Sequence, residues 1–259
     1  MQKIYESRQL IHALYTNAQL RLDAYGAMRL FQNVTGEHSI DLGVDYDSML
    51  KKSNAFWVVT KMKIQFTRAP HIFEQALIRT WPLAAKHAGC ERCYTLETPE
   101  GGSLCARSEW VLLDADTRAI RLPESTCYPM DFDYCTEKVL DKPFLRLRPD
   151  FTDGIPYMRR RILPTDIDMS RHTNNTQYAR FILDCFPLNF FDQMELTELE
   201  IQFRRESREG EELAIYKKQV SDTEYQLAGT NEAGQLVFSA CMKVRAAEEM
   251  QLENMTAKE

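Results

Sequence analysis

Hydrophobic residues recur along this chain with two periods, helical and alternating. Near residues 24–34, Ala27, Leu30, Phe31 and Val34 fall on one helical stripe. Near residues 176–186, Tyr178, Phe181, Ile182, Cys185 and Phe186 do the same, and Pro187 should end that helix. Most of the remaining pattern alternates at period two and reads as strand.

Two of the strands look like copies. Lys61-Met62-Lys63-Ile64-Gln65-Phe66-Thr67-Arg68 and Glu198-Leu199-Glu200-Ile201-Gln202-Phe203-Arg204-Arg205 share Ile-Gln-Phe-x-Arg, with Ile64 and Ile201 137 positions apart. A later pair begins at Gly102-Ser103-Leu104 and Gly234-Gln235-Leu236, with Leu104 and Leu236 132 apart. The first of these carries Ala106, Ser108, Trp110 and Leu112 on one face; the second carries Phe238, Ala240, Met242 and Val244. Tyr25 and Tyr178 correspond in the two helices, at a separation of 153. The order helix, strand, strand, strand thus occurs twice. The period is too long for a solenoid and fits a duplicated domain.

A helix followed by a long antiparallel meander is an α+β pattern. Each half should wrap one sheet of about five or six strands around one apolar helix. The expected division is a first domain over 1–130, a connection over 131–150, a second domain over 151–246 and a polar, frayed tail over 247–259. Pro123, Pro129, Pro143, Pro149 and Pro156 are half of the ten prolines and should break regular structure between the halves.

Composition narrows the class. The 259 residues suit one large domain or two small ones. No run approaches the roughly 18 apolar residues of a membrane span. Met1-Gln2-Lys3-Ile4-Tyr5-Glu6-Ser7 lacks the apolar core of a signal peptide, so a cytoplasmic protein is expected. A net charge of −6 argues against nucleic acid as a partner. Seven scattered cysteines make no disulfide framework. Cys90 and Cys93 form a lone C-x-x-C with no second pair at ligand spacing, so no metal or other cofactor is expected.

The chemistry concentrates in Asp166-Ile167-Asp168-Met169-Ser170-Arg171-His172-Thr173-Asn174-Asn175, which leads into the second helix. A helix start offers free N–H groups and partial positive charge, which suit a developing oxyanion. Capping explains Asn174 or Asn175. It does not explain His172 beside two aspartates. The other histidines, at 12, 38, 71 and 87, have no comparable company and read as structural or solvated.

Asp166-Ile167-Asp168-Met169-x-x-His172-x-Asn174-Asn175-x-x-Tyr178 resembles the acyl-acyl carrier protein thioesterases of plants and bacteria, within the hotdog superfamily. Arg204-Arg205-Glu206-Ser207 resembles that family's Arg-Arg-Glu-Cys segment. Ser108-Glu109-Trp110-Val111, Asp116-Thr117-Arg118 and Arg121-Leu122-Pro123 resemble its N-terminal half. The resemblance runs from about Tyr5 to Arg245 and implies two tandem hotdog domains. It implies a thioester hydrolase that releases free fatty acid from acyl carrier protein and so terminates fatty acid synthesis. The catalytic set it carries over is Asp168, Ser170, His172 and Glu206. Family members usually have Asn where Ser170 stands and Cys where Ser207 stands, so a thiol nucleophile is ruled out here.

The mechanism expected is direct hydrolysis, with Glu206 as general base on a water, alone or shared with His172. Asp168 would orient His172 or the helix-start amides, and N–H groups near Asn174 and Asn175 would hold the oxyanion. Strict alternation would carry Glu206 on the face of Gln202 and Arg204, and a bulge would reverse that. Ser207 counts with Asn174 and Asn175 as substrate-binding. The first half has Arg21-Leu22-Asp23-Ala24-Tyr25 at the equivalent place and would keep the acyl pocket, with Met28, Phe31, Phe56, Trp57 and Met62 as candidate lining. Trp57 and Phe31 are the foremost of these. Lys138, Lys142, Arg146, Arg148, Arg159, Arg160 and Arg161 could dock an acidic carrier protein. An acyl-CoA thioesterase and a non-catalytic acyl- or carrier-binding protein are the alternatives, and a homodimer stays open.

Overall fold

The computed structural model describes residues 1–247; the expected tail, apart from Ala247, lies outside the described residues. The first half holds β1 (Tyr5–Leu10), α1 (Ala24–Asp41), α2 (Tyr46–Ser53), β2 (Ala55–Arg68), β3 (Gln75–Pro82), β4 (Cys90–Glu97), β5 (Ser103–Asp114) and the short β6 (Ile120–Arg121). The second holds β7 (Met158–Arg161), α3 (Asn175–Leu183), α4 (Leu188–Gln193), β8 (Met194–Phe203), β9 (Glu212–Ser221), β10 (Glu224–Thr230) and β11 (Leu236–Ala246). The fold is α+β, with one main helix against antiparallel strands in each half.

α1 starts where Asp23 accepts a hydrogen bond from the Gly26 N–H at 2.7 Å. It runs seven residues beyond the apolar stripe seen in the sequence, to Asp41. The stripe continues past Val34 to the buried His38, a polar residue that an apolar pattern does not count. Gly26 is required by packing: a Cβ there would lie 2.1 Å from the Tyr15 carbonyl oxygen. α3 ends at Leu183, short of Phe186. Cys185 and Phe186 donate to carbonyls three residues back, a tightened last turn before Pro187, which then opens α4.

The strand order is β1-β3-β4-β5-β2-β8-β11-β10-β9-β7, with β6 beside β5. Read outward from the centre, the two halves have the same order, so β2 matches β8 and β5 matches β11. The duplicated strands pair with each other. In the β2–β8 register, Met62 faces Ile201, Lys63 faces Glu200 and Ile64 faces Leu199. Lys63 and Glu200 are equivalent positions of the repeat, so an approximate two-fold relating the halves passes between them. Two identical chains would bring like charges together there. This single chain places Lys63 3.2 Å from Glu198 and 3.5 Å from Glu200, with Lys63 and Glu200 both buried. One apolar cluster joins both halves, including Phe31, Tyr94, Phe181 and Phe238.

The connecting segment has no strand or α-helix between β6 and β7. It is tied to the sheet all the same. Buried Arg107 donates to the carbonyls of Leu140 at 2.6 Å and Lys142 at 2.9 Å, and lies over the Phe144 ring. Glu200 accepts from the Leu145 N–H at 2.6 Å. Cys90 and Cys93 lie on one strand, an odd number of residues apart, so their side chains leave opposite faces and cannot share an ion. No helix among the described residues is long and apolar enough to cross a membrane.

Candidate active site

The segment before α3 is fixed from beneath by Asp166. This fully buried carboxylate accepts from Arg180 at 2.6 Å and from the Leu163 N–H at 2.9 Å, while its own carbonyl takes the Asn174 N–H at 2.8 Å. Above it the chain makes a tight reversal. The Asp168 N–H donates to the His172 carbonyl at 3.0 Å, and Arg171 adopts the left-handed conformation that closes the turn, with φ +61°. Asn174 caps α3, its side-chain oxygen accepting from the Thr176 N–H at 2.9 Å.

Asp168 reaches His172 through Ser170. Its carboxylate accepts from the Ser170 N–H at 2.8 Å and from the Ser170 hydroxyl at 2.6 Å. Ser170 Oγ then lies 3.4 Å from His172 Nδ1. With the serine proton committed to Asp168, Oγ offers a lone pair, and the network assigns the imidazole proton to Nδ1. Nε2 is left as an acceptor. It sits 3.2 Å from Glu206 Oε2 but makes no aligned hydrogen bond.

Glu206 is not on a strand, so neither expected strand face applies. β8 ends at Phe203, and the N–H groups of Arg204 and Arg205 both donate to the Val237 carbonyl, at 2.7 and 3.2 Å. One acceptor serving two successive donors takes the chain out of register. The loop that follows is locked to the His172 segment by hydroxyls. The Thr173 N–H donates to the Ser207 carbonyl at 2.8 Å, and Ser207 Oγ lies 2.7 Å from Thr173 Oγ1 and 2.8 Å from the Tyr178 hydroxyl. Burial pushes the Tyr178 hydroxyl up to about 12, so it stays protonated.

Arg118 was not among the expected site residues. It comes from the first half, at the turn joining β5 to β6, with φ +61°. Its guanidinium lies over the Phe56 ring, 4.7 Å from the centroid, and donates to Glu206 Oε2. The sequence signal was present in Asp116-Thr117-Arg118, but nothing local in it points 88 positions ahead.

Asp168, Ser170, His172 and Glu206 all line one cavity of about 790 Å³ at the junction of the two halves. Most of its apolar wall comes from the first half, with Phe56, Trp57, Val59, Trp110 and Leu113, and Met169 and Phe203 of the second half complete it. Trp57 and Asn175 line it as expected positions; Phe31, Asn174 and Ser207 do not. Phe31 is core, its ring 4.8 Å from that of Tyr94. Ser207 is fully buried behind the site. The Asn174 N–H is spent on Asp166, which leaves the Asn175 N–H, in the first turn of α3, without a partner among the described residues. Nor do the seven basic residues around the connection form one free face. Lys138 is 2.7 Å from Glu91, Arg159 is 3.0 Å from Glu212, and Arg160 pairs with Asp166. Arg204, Arg205 and Arg208, all exposed, stand on the cavity itself. No group of side chains among the described residues is arranged to hold a metal ion.

Residues 3–128 match the family model for the acyl-ACP thioesterase N-terminal domain, and residues 157–244 match that for the C-terminal domain. An acyl-[acyl-carrier-protein] hydrolase of Cuphea viscosissima is 27% identical over 194 residues, covering 70% of this chain and 46% of the relative. Oleoyl-acyl carrier protein thioesterase 1 of Arabidopsis thaliana is 24% identical over 217 residues, covering 78% and 59%. The chain thus spans about half the length of these curated relatives. Among solved structures, an acyl-ACP thioesterase from Bacteroides thetaiotaomicron superposes with a TM-score of 0.85 at 21% identity, covering 94% of this chain and 98% of that one. A 12:0-ACP thioesterase from Umbellularia californica gives 0.81 at 17%, covering 95% and 99%. These likenesses show the fold, the tandem hotdog arrangement.

Proposed function

The chain belongs to the acyl-ACP thioesterase family, and on that premise we propose that it hydrolyses fatty acyl-acyl carrier protein to free fatty acid and carrier protein, terminating fatty acid synthesis. The observation that carries this reading is one cavity lined by two kinds of group. Asp168, Ser170, His172 and Glu206 supply the polar kind, and Phe56, Trp57, Val59, Trp110 and Leu113 supply the apolar kind. A thioester carbonyl belongs at the first and its acyl chain along the second.

His172 Nε2 and the Glu206 carboxylate are two acceptors 3.2 Å apart. That separation leaves no room for a water between them, so the reacting water stands beside them on the cavity side, where it can donate to either. Glu206 takes one proton as the water oxygen bonds to the carbonyl carbon. The carbonyl π electrons move to oxygen, and the Asn175 N–H, with the positive end of α3, receives that charge. When the carbonyl re-forms, the C–S bond breaks, and the sulfur leaves as a thiol with the proton that Glu206 returns. Asp168 acts through Ser170, which holds the imidazole in the required tautomer. The Ser207 hydroxyl is buried and already bonded to Thr173 and Tyr178, which supports direct hydrolysis over an acyl-serine.

Acyl carrier protein is the proposed partner, and Arg204, Arg205 and Arg208 are the basic residues placed where an acidic carrier would bring its thioester. A cytoplasmic site of action is part of the same proposal, as are domain bounds of 1–130 and 151–246. Because β2 pairs with β8 inside one chain, the proposed active unit needs no second copy.

The test is release of free acid from a ladder of acyl-carrier substrates by wild type, Glu206→Ala and Asp168→Ala. Each substitution should lower turnover about 100-fold or more. Near wild-type rates in both would overturn the mechanism. Faster hydrolysis of the same chain on CoA would favour the acyl-CoA alternative, and tight acyl binding without release would favour the non-catalytic one.

A further inference from the structure

Beyond Trp57 and Trp110, which line both spaces, a second cavity of about 70 Å³ lies inside the first half. Much of its wall is apolar, including Leu42, Val44 and Pro82. Yet Arg92, on β4, is also part of it and is only 6% exposed. The hydrogen bonds of Arg92 go to neutral groups, with Nη1 3.0 Å from His38 Nδ1 and 3.2 Å from Thr80 Oγ1. Among the described residues it has no carboxylate partner. Glu91, the nearest in sequence and itself in the cavity wall, has its carboxylate charge matched by Lys138 at 2.7 Å and Arg107 at 3.7 Å.

His38 cannot balance the charge. Burial, with Arg92 beside it, pushes its pKa down to about 4, so the ring is neutral. The last turn of α1, which carries His38, offers only partial negative charge. A second donor faces the same space. Among the described residues the buried Tyr128 hydroxyl has no hydrogen-bond partner, and burial raises its pKa, so it keeps its proton. A buried cation without a counter-charge is costly, and so is a hydroxyl proton without an acceptor. A methyl-ended acyl chain would leave both as they are. A carboxylate is acceptor-only and can take both donors at once.

We propose that this cavity receives the terminal carboxylate of an acyl chain, so that the preferred substrates are thioesters of dicarboxylic acids bound by their free end. Arg92 and Tyr128 would grip that end while the thioester lies at His172. The space is several times the roughly 10–15 Å³ that one water needs and admits a carboxylate with the methylene that bears it. The inference rests on the thioesterase reading above.

The experiment compares methyl-ended and ω-carboxy acyl-carrier thioesters of matched length, across a series of lengths, on wild type, Arg92→Leu and Arg92→Lys. In wild type, kcat/KM for the best ω-carboxy chain should exceed its methyl-ended match by about tenfold or more. Arg92→Leu should abolish or reverse that preference, and Arg92→Lys should keep part of it. Should Arg92→Leu fail to fold, wild type still decides: free dicarboxylate should raise its melting temperature more than the matching monocarboxylate. Hydrolysis of methyl-ended chains without ω-carboxy preference overturns the inference alone. So does activation of methyl-ended turnover by acetate without that preference, which would mark a free-anion site. No hydrolysis of either series would instead overturn the thioesterase reading.

Discussion

Arg118→Gln isolates a contact by which the first half reaches the proposed base. Arg118 and Glu206 have side chains 39% and 34% exposed, so water screens much of their attraction. For unit charges at about 4 Å, effective dielectric constants of 20 to 80 give about 1–4 kcal/mol, and this much exposure belongs near the low end. About 1–1.5 kcal/mol of positioning corresponds to roughly five- to tenfold in kcat/KM. The loss should fall on kcat, because Arg118 holds Glu206 in place, and KM should move little. Stability should fall by under about 1 kcal/mol, or roughly 2–4 °C in a chain of this size. Arg118→Lys keeps the charge but loses the planar fork and the contact over Phe56, so its rate should lie between. Steady-state acid release and thermal melts on the same preparations give both quantities. A kcat within twofold of wild type would refute the positioning role. A melting temperature lower by about 10 °C or more would show that the contact chiefly joins the halves.

Two further predictions concern buried charge. Lys63→Met leaves Glu200 facing the two-fold without its partner and should cost about 3–5 kcal/mol in urea unfolding. Lys63→Met with Glu200→Gln should recover much of that loss, and a single variant within about 1 kcal/mol of wild type would refute the account. His38 has a folded pKa of about 4 against an ordinary value of 6.5, so between these the unfolded chain binds a proton that the folded chain refuses. Stability should therefore fall as pH drops from 6.5 towards 4, by about 2–3 kcal/mol, and then level off. Denaturation midpoints across that range should show a shallower slope in His38→Gln; an unchanged slope would exclude His38 as its source.

Local patterns carried much of the architecture. The stripe at Ala27, Leu30, Phe31 and Val34 marked α1, and the approach to Asn174 marked both α3 and the acid–base cluster. Repeated Ile-Gln-Phe-x-Arg exposed the duplication. Errors came where a tertiary partner replaced a local rule. His38 extends α1 because Arg92 and the Gln2 carbonyl satisfy its ring inside the core. Glu206 leaves the strand because Val237 accepts two hydrogen bonds. Phe31 looked like acyl lining but packs against Tyr94, since periodicity tells a buried face from an exposed one but not core from cavity wall.

The sequence by itself determined that this chain is two related halves, each with a helix in an antiparallel sheet, and that only the second carries an acid–base segment. Those features depend on neighbours a few residues apart, where side-chain period and capping chemistry act. The tertiary structure decided what meets across the halves. It placed Lys63 opposite Glu200, brought Arg118 to Glu206, opened a cavity between the halves, and left Arg92 without a carboxylate partner among the described residues. Each of these depends on strand register and on bulges that shift it by a single residue. Such shifts are set by the packing of the whole sheet, which no short stretch of sequence contains.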